Sequence, residues 1–279
     1  MPSPYGSGRR CAVLGKPIEH SLSPVLHRAA YDHLGLDWSY ERHEITEDGL
    51  APFVDALDPS WRGLSLTMPL KVAALALGAV SSTAELVAAG NTVLLDLDRH
   101  RVDNTDVGGL VDAVTAALAS SRVPLHRATV LGAGATARSS VVALQRLGVR
   151  ECTILARTPA KAAPLVDLAE SLRLRCVVRP ITQAPDRADL LVSTVTAGAI
   201  DERADEFARS AEVIFDVVYD PWPTPLAAAA VDHGAVVVSG LDLLVHQGVA
   251  QVELMTGLAV PPEVLLSAGR VELRRRSEK

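Results

Sequence analysis

The chain has 279 residues, a length that predicts one large or two modest domains with a sizeable core. Apolar residues make up 48% of it and aromatic residues only 4%, a composition typical of layered α/β folds. The formal net charge is −6, with both signs interspersed and no basic stripe, which argues against a nucleic-acid partner. The first apolar run, Cys11–Leu14, is too short for a signal-peptide core or a membrane span, so we expect no membrane partner.

The three cysteines are Cys11, Cys152 and Cys176, and their spacing matches no metal-binding or redox motif. Cys11 and Cys152 fall in predicted strands, where a thiol behaves as a small buried apolar group. We therefore expect them to be core residues and the protein to be cytoplasmic, in a reducing compartment.

The first region opens with a buried strand, Cys11–Gly15, followed by the polar loop Lys16–Ser23. Pro24 is typical of the first position of a helix, with Ser23 as its N-cap. Apolar patterns predict further strands at Trp38–Ile45, Gly63–Thr67 and Ala88–Leu95. Met68–Lys71 is then expected to turn the chain into another helix.

The second region is organised around a glycine turn between a strand and a helix. The strand Thr129–Leu131 runs into Gly132-Ala133-Gly134-Ala135, and a helical pattern follows. This order places a pyrophosphate on a helix N-terminus. Gly132 suits the sharp turn, and Gly134 lets the backbone approach the phosphates.

The rest of the second region alternates strands with helical stretches. Predicted strands recur at Thr129–Leu131, Thr153–Leu155, Leu190–Thr194, Val213–Val217 and Ala235–Val238. The alternation predicts a doubly wound parallel sheet, followed by a helix from Gly240 to about Thr256 and a solvated end at Arg270–Lys279. The fold class is therefore α/β with two domains. They are an N-terminal α/β domain expected to hold the substrate (1–106 plus 239–279) and a Rossmann domain whose glycine turn is expected to bind a dinucleotide (107–238), with a cleft between them.

Polar side chains cluster beside the strands of the first region. They carry hydroxyls, an amide, one amine and one carboxylate: Ser21, Ser23, Ser65, Thr67, Lys71, Asn91 and Asp106. A pocket lined in this way fits a small polyhydroxylated ligand. We expect no metal, because histidine, cysteine and paired acidic ligands are lacking.

Eight motifs follow one another in a familiar order from Gly15 to about Gly257. They are GKPIEHSLSP at 15–24, GLSLTMPLK at 63–71, AGNT at 89–92, DNTDVGGL at 103–110, GAGATAR at 132–138, ART at 156–158, FDVVYDPWPTPL at 215–226 and GLDLLVHQ at 240–247. In these motifs the chain resembles the shikimate dehydrogenases, and in particular the actinobacterial type. The resemblance implies reversible reduction of 3-dehydroshikimate to shikimate with NADPH, in the pathway to chorismate and the aromatic amino acids.

The resemblance also assigns roles to individual residues. Lys71 and Asp106 match the catalytic pair, which agrees with a reaction whose alkoxide needs a proton. The positions that match substrate-binding residues are Ser21, Ser23, Ser65, Thr67, Asn91, Tyr219 and Gln247. The positions that match cofactor-binding residues are Gly132, Ala133, Gly134, Ala135, Thr136, Ala137, Arg157, Thr158, Lys161, Thr194, Val217 and Gly240.

Three departures from the family pattern bear on substrate and cofactor. Ser65 stands where the family has asparagine, which shortens the reach to a ligand and favours a water-mediated contact. Ala135 replaces a glycine, and its methyl group pushes phosphates outward unless its φ is negative. Ala156 and Lys161 replace the asparagine and arginine of a basic clamp.

The cofactor prediction rests on Arg157. With no acidic residue near position 156 to bind ribose hydroxyls, Arg157 and Lys161 favour the 2′-phosphate of NADP, although NAD remains open. A quinate or aminoshikimate dehydrogenase using NAD is the first alternative. A non-catalytic nucleotide-binding module and a methyltransferase are the others. The expected partner is a small molecule, and the chain is expected to be a monomer or homodimer.

Overall fold

The computed structural model describes residues 3–96, 98–119 and 123–278. The chain divides into two compact units. The first comprises the residues up to Asp106 together with those from Leu244 onward, and the second is Val107–Leu243. Both are α/β units, and the predicted fold class is confirmed. In the described ranges, no helix is both long and apolar enough to cross a membrane.

The first unit is built on a mixed six-stranded sheet. Its strands are β1 (Arg10–Gly15), β2 (Ser39–Glu44), β3 (Trp61–Leu66), β4 (Ala79–Val80), β5 (Thr92–Leu94) and β6 (Arg101–Asp103), in the order β2-β1-β3-β5-β6-β4. Strands β2, β1 and β3 are parallel, whereas β5 is antiparallel to β3 and to β6. Its helices include α1 (Ser23–Leu34), α2 (Glu47–Asp55) and α3 (Ser82–Val87).

Three local expectations in this unit are wrong. Leu22, not Ser23, is the N-cap of α1, because the helix already begins at Ser23. The stretch after Lys71 forms only a 3₁₀ turn at Ala73–Ala76. The predicted strand Ala88–Leu95 shrinks to β5, since Ala88 adopts a left-handed φ of +48° at the end of α3.

The second unit is a doubly wound parallel sheet. Its strands are β7 (Arg127–Leu131), β8 (Glu151–Ala156), β9 (Arg175–Pro180), β10 (Ala188–Ser193), β11 (Ala211–Asp216) and β12 (Val236–Ser239), in the order β12-β11-β10-β7-β8-β9. The edge strand β9 is absent from the strands that the sequence predicts. It reads RCVVRP, and the arginines suit an edge strand but obscure the apolar pattern.

Helices connect most of these strands. They are α4 (Asp106–Ala117), which precedes β7, α5 (Ala135–Arg146), α6 (Ala163–Ser171), α7 (Ala204–Ala208) and α8 (Pro225–Asp232). Two long helices end the chain: α9 (Gly240–Thr256), as predicted, and α10 (Pro262–Ser277). The end expected to be simply solvated is therefore helical as far as Ser277 and mostly exposed as far as Glu278, while Lys279 lies outside the described residues.

Each unit has its own apolar core. In the first, β1 and β3 contribute Leu14 and Leu64, both fully buried, and in the second Leu131 and Ile214 play the same part. Burial of such a side chain stabilises the fold by about 1.5–3 kcal/mol. Cys11 and Cys152 are 0% and 3% exposed, so their prediction as core residues is confirmed.

His27 on α1 is a buried titratable group in the first unit. Its ring stacks on Tyr40 at 4.0 Å, and Nε2 lies 3.3 Å from Oε1 of Gln251. That oxygen only accepts, so we assign the proton to Nε2, which leaves Nδ1 buried without a partner among the described residues. Burial lowers the pKa of His27 from 6.5 to about 3. The folded protein therefore holds this ring neutral.

This burial predicts a pH-dependent stability. Since the unfolded chain protonates His27 below about pH 6.5 and the folded chain does not, the stabilising contribution is complete above that pH and is lost as the pH falls towards 3. Between about pH 4 and pH 6, His27→Phe should reduce the slope of unfolding free energy against pH by about 1.4 kcal/mol per unit. Urea denaturation at several pH values measures this slope. The exposed His33→Gln variant is the control, and an unchanged slope in His27→Phe would contradict the prediction.

Candidate active site

The centre of the site in the first unit is an ion pair between Lys71 and Asp106. Lys71 follows β3 and the turn closed by the Leu70 N–H on the Thr67 carbonyl, while Asp106 is the first residue of α4. Lys71 Nζ lies 2.6 Å from Asp106 Oδ2, and the two side chains are only 17% and 9% exposed. Asp106 is also at a helix N-terminus, where negative charge is favoured. The ammonium group keeps two further N–H donors for a ligand.

Asn91, which directly precedes β5, fixes the second oxygen of Asp106. Its Nδ2 lies 2.9 Å from Asp106 Oδ1, 2.9 Å from Thr105 Oγ1 and 3.2 Å from Gln247 Oε1, and shares two hydrogens among them. Its Oδ1 accepts from the Thr105 backbone N–H at 2.8 Å. The carboxamide is 2% exposed. Both oxygens of Asp106 are therefore engaged, and the carboxylate is held in one orientation towards Lys71.

Helix α9 contributes two glutamines one turn apart. Gln247 Nε2 donates to the Leu244 carbonyl at 2.8 Å, which orients its Oε1 towards Asn91. Gln251 was not predicted as a site residue. Its Nε2 donates to the Asn91 carbonyl at 3.1 Å and to Thr92 Oγ1 at 2.9 Å. The spacing of four residues from Gln247 on one helix face is the sequence signal for it.

Ser65 on β3 lies behind these residues and is 4% exposed. Its hydroxyl donates to Gln251 Oε1 at 2.8 Å and accepts from the Tyr40 hydroxyl at 2.6 Å. A serine hydroxyl has one proton and two lone pairs, so only one lone pair remains. In the first unit Ser65 is thus bound to protein partners on both sides.

The remaining hydroxyls follow the carboxyl ends of the adjacent strands β1 and β3. Ser21 Oγ accepts from the Ser23 N–H at 3.3 Å, and among the described residues the hydroxyls of Ser23 and Thr67 have no partner. The two strand ends are joined by the Thr67 N–H on the Leu14 carbonyl at 2.9 Å. Gly15 permits this approach, because a Cβ there would lie 2.4 Å from Thr67 Cγ2. The first unit therefore contains every predicted substrate-binding residue except Tyr219.

The second unit carries a cavity of about 360 Å³ at the carboxyl ends of its strands. It is lined by Gly132, Ala133, Gly134, Ala156, Arg157, Thr158, Lys161, Ile181, Thr194, Val195, Thr196 and Ala199. Seven of the predicted cofactor-binding residues are in this set. Helix α5 begins at its edge, with Gly134 as N-cap.

Glycine occupies the two positions of the turn for different structural reasons. Gly132 has a φ of +106°, and a Cβ there would lie 2.5 Å from Thr194 Oγ1, which donates to the Leu131 carbonyl at 2.7 Å. Gly134 has a φ of −90°, and a Cβ there would meet no atom within 4 Å. The protein itself thus requires glycine at 132, whereas at 134 the missing side chain opens space over the helix N-terminus. That geometry fits a pyrophosphate.

The far side of this cavity is basic. Arg157 and Lys161 are exposed at its edge, and among the described residues that line it none is acidic. Thr158 precedes the 3₁₀ turn Pro159–Ala162, and its hydroxyl makes no cap bond there. This donor set fits a phosphate better than the ribose hydroxyls that an acidic residue binds.

The other predicted cofactor residues lie outside the cavity lining. Ala135, Thr136 and Ala137 form the first turn of α5. Ala135 is helical and absent from the positive-φ residues, so its methyl group causes no backbone strain. Val217 and Gly240 contact each other at the ends of β11 and β12, where a Cβ on Gly240 would lie 2.0 Å from the Val217 carbonyl oxygen.

Tyr219 belongs to the second unit and follows β11, on a segment fixed by the buried Asp216. Asp216 Oδ2 accepts from Thr224 Oγ1 at 2.7 Å, and Oδ1 accepts from the Val218 N–H at 3.3 Å. Burial raises the pKa of this carboxyl, although these bonds oppose the shift. Sequence reasoning missed Asp216, whose only signal is its place between a strand and a proline-rich loop.

The comparisons with known proteins agree with this geometry. The family model described as the shikimate dehydrogenase substrate binding domain matches residues 13–93, and that of the shikimate 5′-dehydrogenase C-terminal domain matches residues 240–268. A shikimate dehydrogenase (NADP(+)) of Thermus thermophilus is 38% identical over 94% of this chain and 97% of its own.

Solved structures show the same likeness over nearly the whole chain. The Mycobacterium tuberculosis shikimate dehydrogenase is 41% identical with a TM-score of 0.87, covering 95% of this chain and 99% of its own. A Thermus thermophilus shikimate 5-dehydrogenase in complex with NADP(H) and shikimate is 36% identical with a TM-score of 0.82, covering 94% of this chain and 99% of that chain. The predicted resemblance is confirmed, and this chain belongs to the shikimate dehydrogenase family.

Proposed function

We propose that this protein is an NADP-dependent shikimate dehydrogenase that reversibly reduces 3-dehydroshikimate to shikimate. The observation that carries the proposal is the Lys71–Asp106 contact of 2.6 Å, held in place by Asn91. Relatives named as shikimate dehydrogenases, which are similar to this chain over nearly their whole length, support it. The role in the pathway to aromatic amino acids follows from the same reaction.

The chain's own residues account for the proton in this reaction. The cavity residues of the second unit would hold NADPH, which would supply the hydride for the carbonyl carbon. The developing alkoxide then needs a proton, which the Lys71 ammonium donates through one of its free N–H groups. Asp106 pairs with the lysine and orients its ammonium group, and Asn91 keeps Asp106 in place. In the oxidation direction the same pair accepts the hydroxyl proton. Ser21, Ser23, Thr67, Asn91 and Gln247 bind the substrate's hydroxyls and carboxylate, joined by Tyr219.

The same proposal assigns the two domains, the cellular compartment and the oligomeric state. Residues 1–106 with 239–279 bind the substrate, and residues 107–238 bind NADP, the phosphates meeting the Gly134 N-cap and the 2′-phosphate meeting Arg157 and Lys161. The protein acts in the cytoplasm, as a monomer or homodimer.

The first experiment offers the protein shikimate or quinate, each with NADP⁺ or NAD⁺, and follows reduced nicotinamide by absorbance. We expect the highest kcat/KM with shikimate and NADP⁺, because the cavity edge is basic and holds no described acidic residue. Turnover of quinate with NAD⁺ in preference would contradict the substrate and cofactor assignments. No turnover with any pair would contradict the function itself.

A pair of variants tests the residues behind the cofactor preference. Arg157→Ala should raise the KM for NADP⁺ by about tenfold or more, since a bound phosphate loses a charge-assisted partner, and should change the KM for NAD⁺ little. Arg187→Ala removes another exposed arginine of the same unit and is the matched control. Equal effects on both cofactors would remove Arg157 from phosphate recognition.

Loss of the Lys71 amine should reduce turnover without unfolding the protein. Lys71→Met is expected to lower kcat by about 10³-fold, within the range that a positioned proton donor contributes. Steady-state kinetics measure this, with circular dichroism as the check on folding. Lys16→Met is the control, because Lys16 pairs with Glu44 and is 54% exposed. A kcat near that of the wild type would exclude Lys71 from the mechanism.

The two glycines of the turn should separate stability from binding. Gly132→Ala should lower the free energy of unfolding by about 1–3 kcal/mol, because alanine is strained at a φ of +106°. Gly134→Ala should keep or slightly raise that stability, yet weaken NADP⁺ binding about tenfold by filling the space over the helix N-terminus. Urea denaturation and calorimetric titration measure the two effects. Unchanged NADP⁺ affinity in Gly134→Ala would place the phosphates elsewhere.

A further inference from the structure

Two cysteines that are far apart in sequence become neighbours in the second unit. Cys152 on β8 and Cys176 on the parallel edge strand β9 are direct partners in the sheet register. Side chains of such partners point to the same face, and adjacent strands lie about 4.8 Å apart, inside the range of Cα separations that a disulfide bridges. The two side chains therefore lie next to each other on one face of the sheet.

The two thiols differ in their access to solvent. Cys152 is 3% exposed, whereas Cys176 is half-buried, and both line an open cavity of about 940 Å³ together with Glu170 and Arg173. Cys176 is therefore the thiol that a small reagent meets first. Since β9 is bonded to a neighbour on one side only, its backbone is free to shift by the fraction of an ångström that a disulfide needs.

The two thiols also differ in the direction of their pKa shifts, which gives them different roles. The neighbouring Cys152 thiol lowers the pKa of Cys176, although burial and the nearby Glu170 carboxylate oppose this shift. The neighbouring Cys176 and burial raise the pKa of Cys152. Thiolates are the nucleophiles, so Cys176 is the attacking group and Cys152 the resolving one.

We propose that Cys152 and Cys176 form a peroxide-reactive dithiol site that closes reversibly to a disulfide. The Cys176 thiolate attacks one oxygen of hydrogen peroxide, the O–O bond breaks, and a sulfenic acid and hydroxide form. The Cys152 thiol then attacks the Cys176 sulfur, expelling the sulfenic oxygen as hydroxide and releasing its own proton. The net change is oxidation of two thiols to one disulfide and reduction of one peroxide to two waters. A dithiol reductant reverses it.

This site is separate from the cofactor cavity. Cys152 precedes Ala156 by four residues along β8, a distance of about 13 Å in an extended strand. Cys152 and Cys176 are also absent from that cavity's lining. Peroxide chemistry at this site can therefore be read directly from the thiols, whatever the protein's activity.

Peptide mapping tests the proposal on the full-length protein. After brief treatment with hydrogen peroxide and alkylation of the remaining thiols, trypsin should release the peptide 151–157 linked to the peptide 176–187, because Pro180 blocks cleavage after Arg179, and dithiothreitol should separate them. The pair should react at least about tenfold faster than Cys11. Cys11 is an internal control, because it is 0% exposed and burial raises its pKa to about 11.

Single variants test the roles assigned to the two thiols separately. In Cys152→Ser the resolving thiol is gone, so Cys176 should accumulate as a sulfenic acid that dimedone labels. In Cys176→Ser, Cys152 should stay reduced. Circular dichroism verifies that each variant is folded. The proposal fails if folded wild type gives no linked peptide, if Cys176 in Cys152→Ser takes up no dimedone, or if Cys11 oxidises as fast as the pair.

Discussion

The buried carboxamide of Asn91 is the interaction on which the first unit's site depends. It is 2% exposed, and both its oxygen and its nitrogen are hydrogen-bonded. An unsatisfied buried amide costs about 1–3 kcal/mol. Displacing one of these partners would therefore leave the Asn91 amide unsatisfied, so the partners keep their positions together. Through Asn91 the residue before β5, the start of α4 and the face of α9 are held to one geometry. The orientation of Asp106 towards Lys71 is a consequence of that geometry.

The second unit reaches its site by backbone geometry instead. Its cofactor-cavity residues lie at or after the carboxyl ends of parallel strands, where loops meet at one edge of the sheet. The Thr194 hydroxyl donates to the carbonyl of Leu131 and leaves no room for a Cβ on Gly132. The turn is therefore fixed by the protein, and α5 starts at one defined place. Binding of phosphates then needs no large side chain at Gly134, only the exposed N-terminus of the helix.

Much of this fold was predictable because it follows from local sequence patterns. The glycine turn, the parallel sheet and α9 follow from residue types at fixed spacings, and the fold class needed nothing more. The 3₁₀ turn after Lys71 and the left-handed Ala88 depend on tertiary packing, which local propensity does not register. Gln251 escaped notice for another reason. Its importance lies in hydrogen-bond partners distant in sequence, which only the folded chain brings within reach.

Ser65 illustrates how a departure from the family pattern is absorbed. A shorter side chain in place of asparagine would leave buried donors unpaired unless other groups closed the gap. Here the Tyr40 hydroxyl fills it from one side and Gln251 from the other, and His27 stacks on Tyr40. Gln251 continues the network to the carbonyl of Asn91. The serine therefore costs the core no unsatisfied hydrogen bond, and its effect falls on the ligand, to which it offers a single lone pair and no proton.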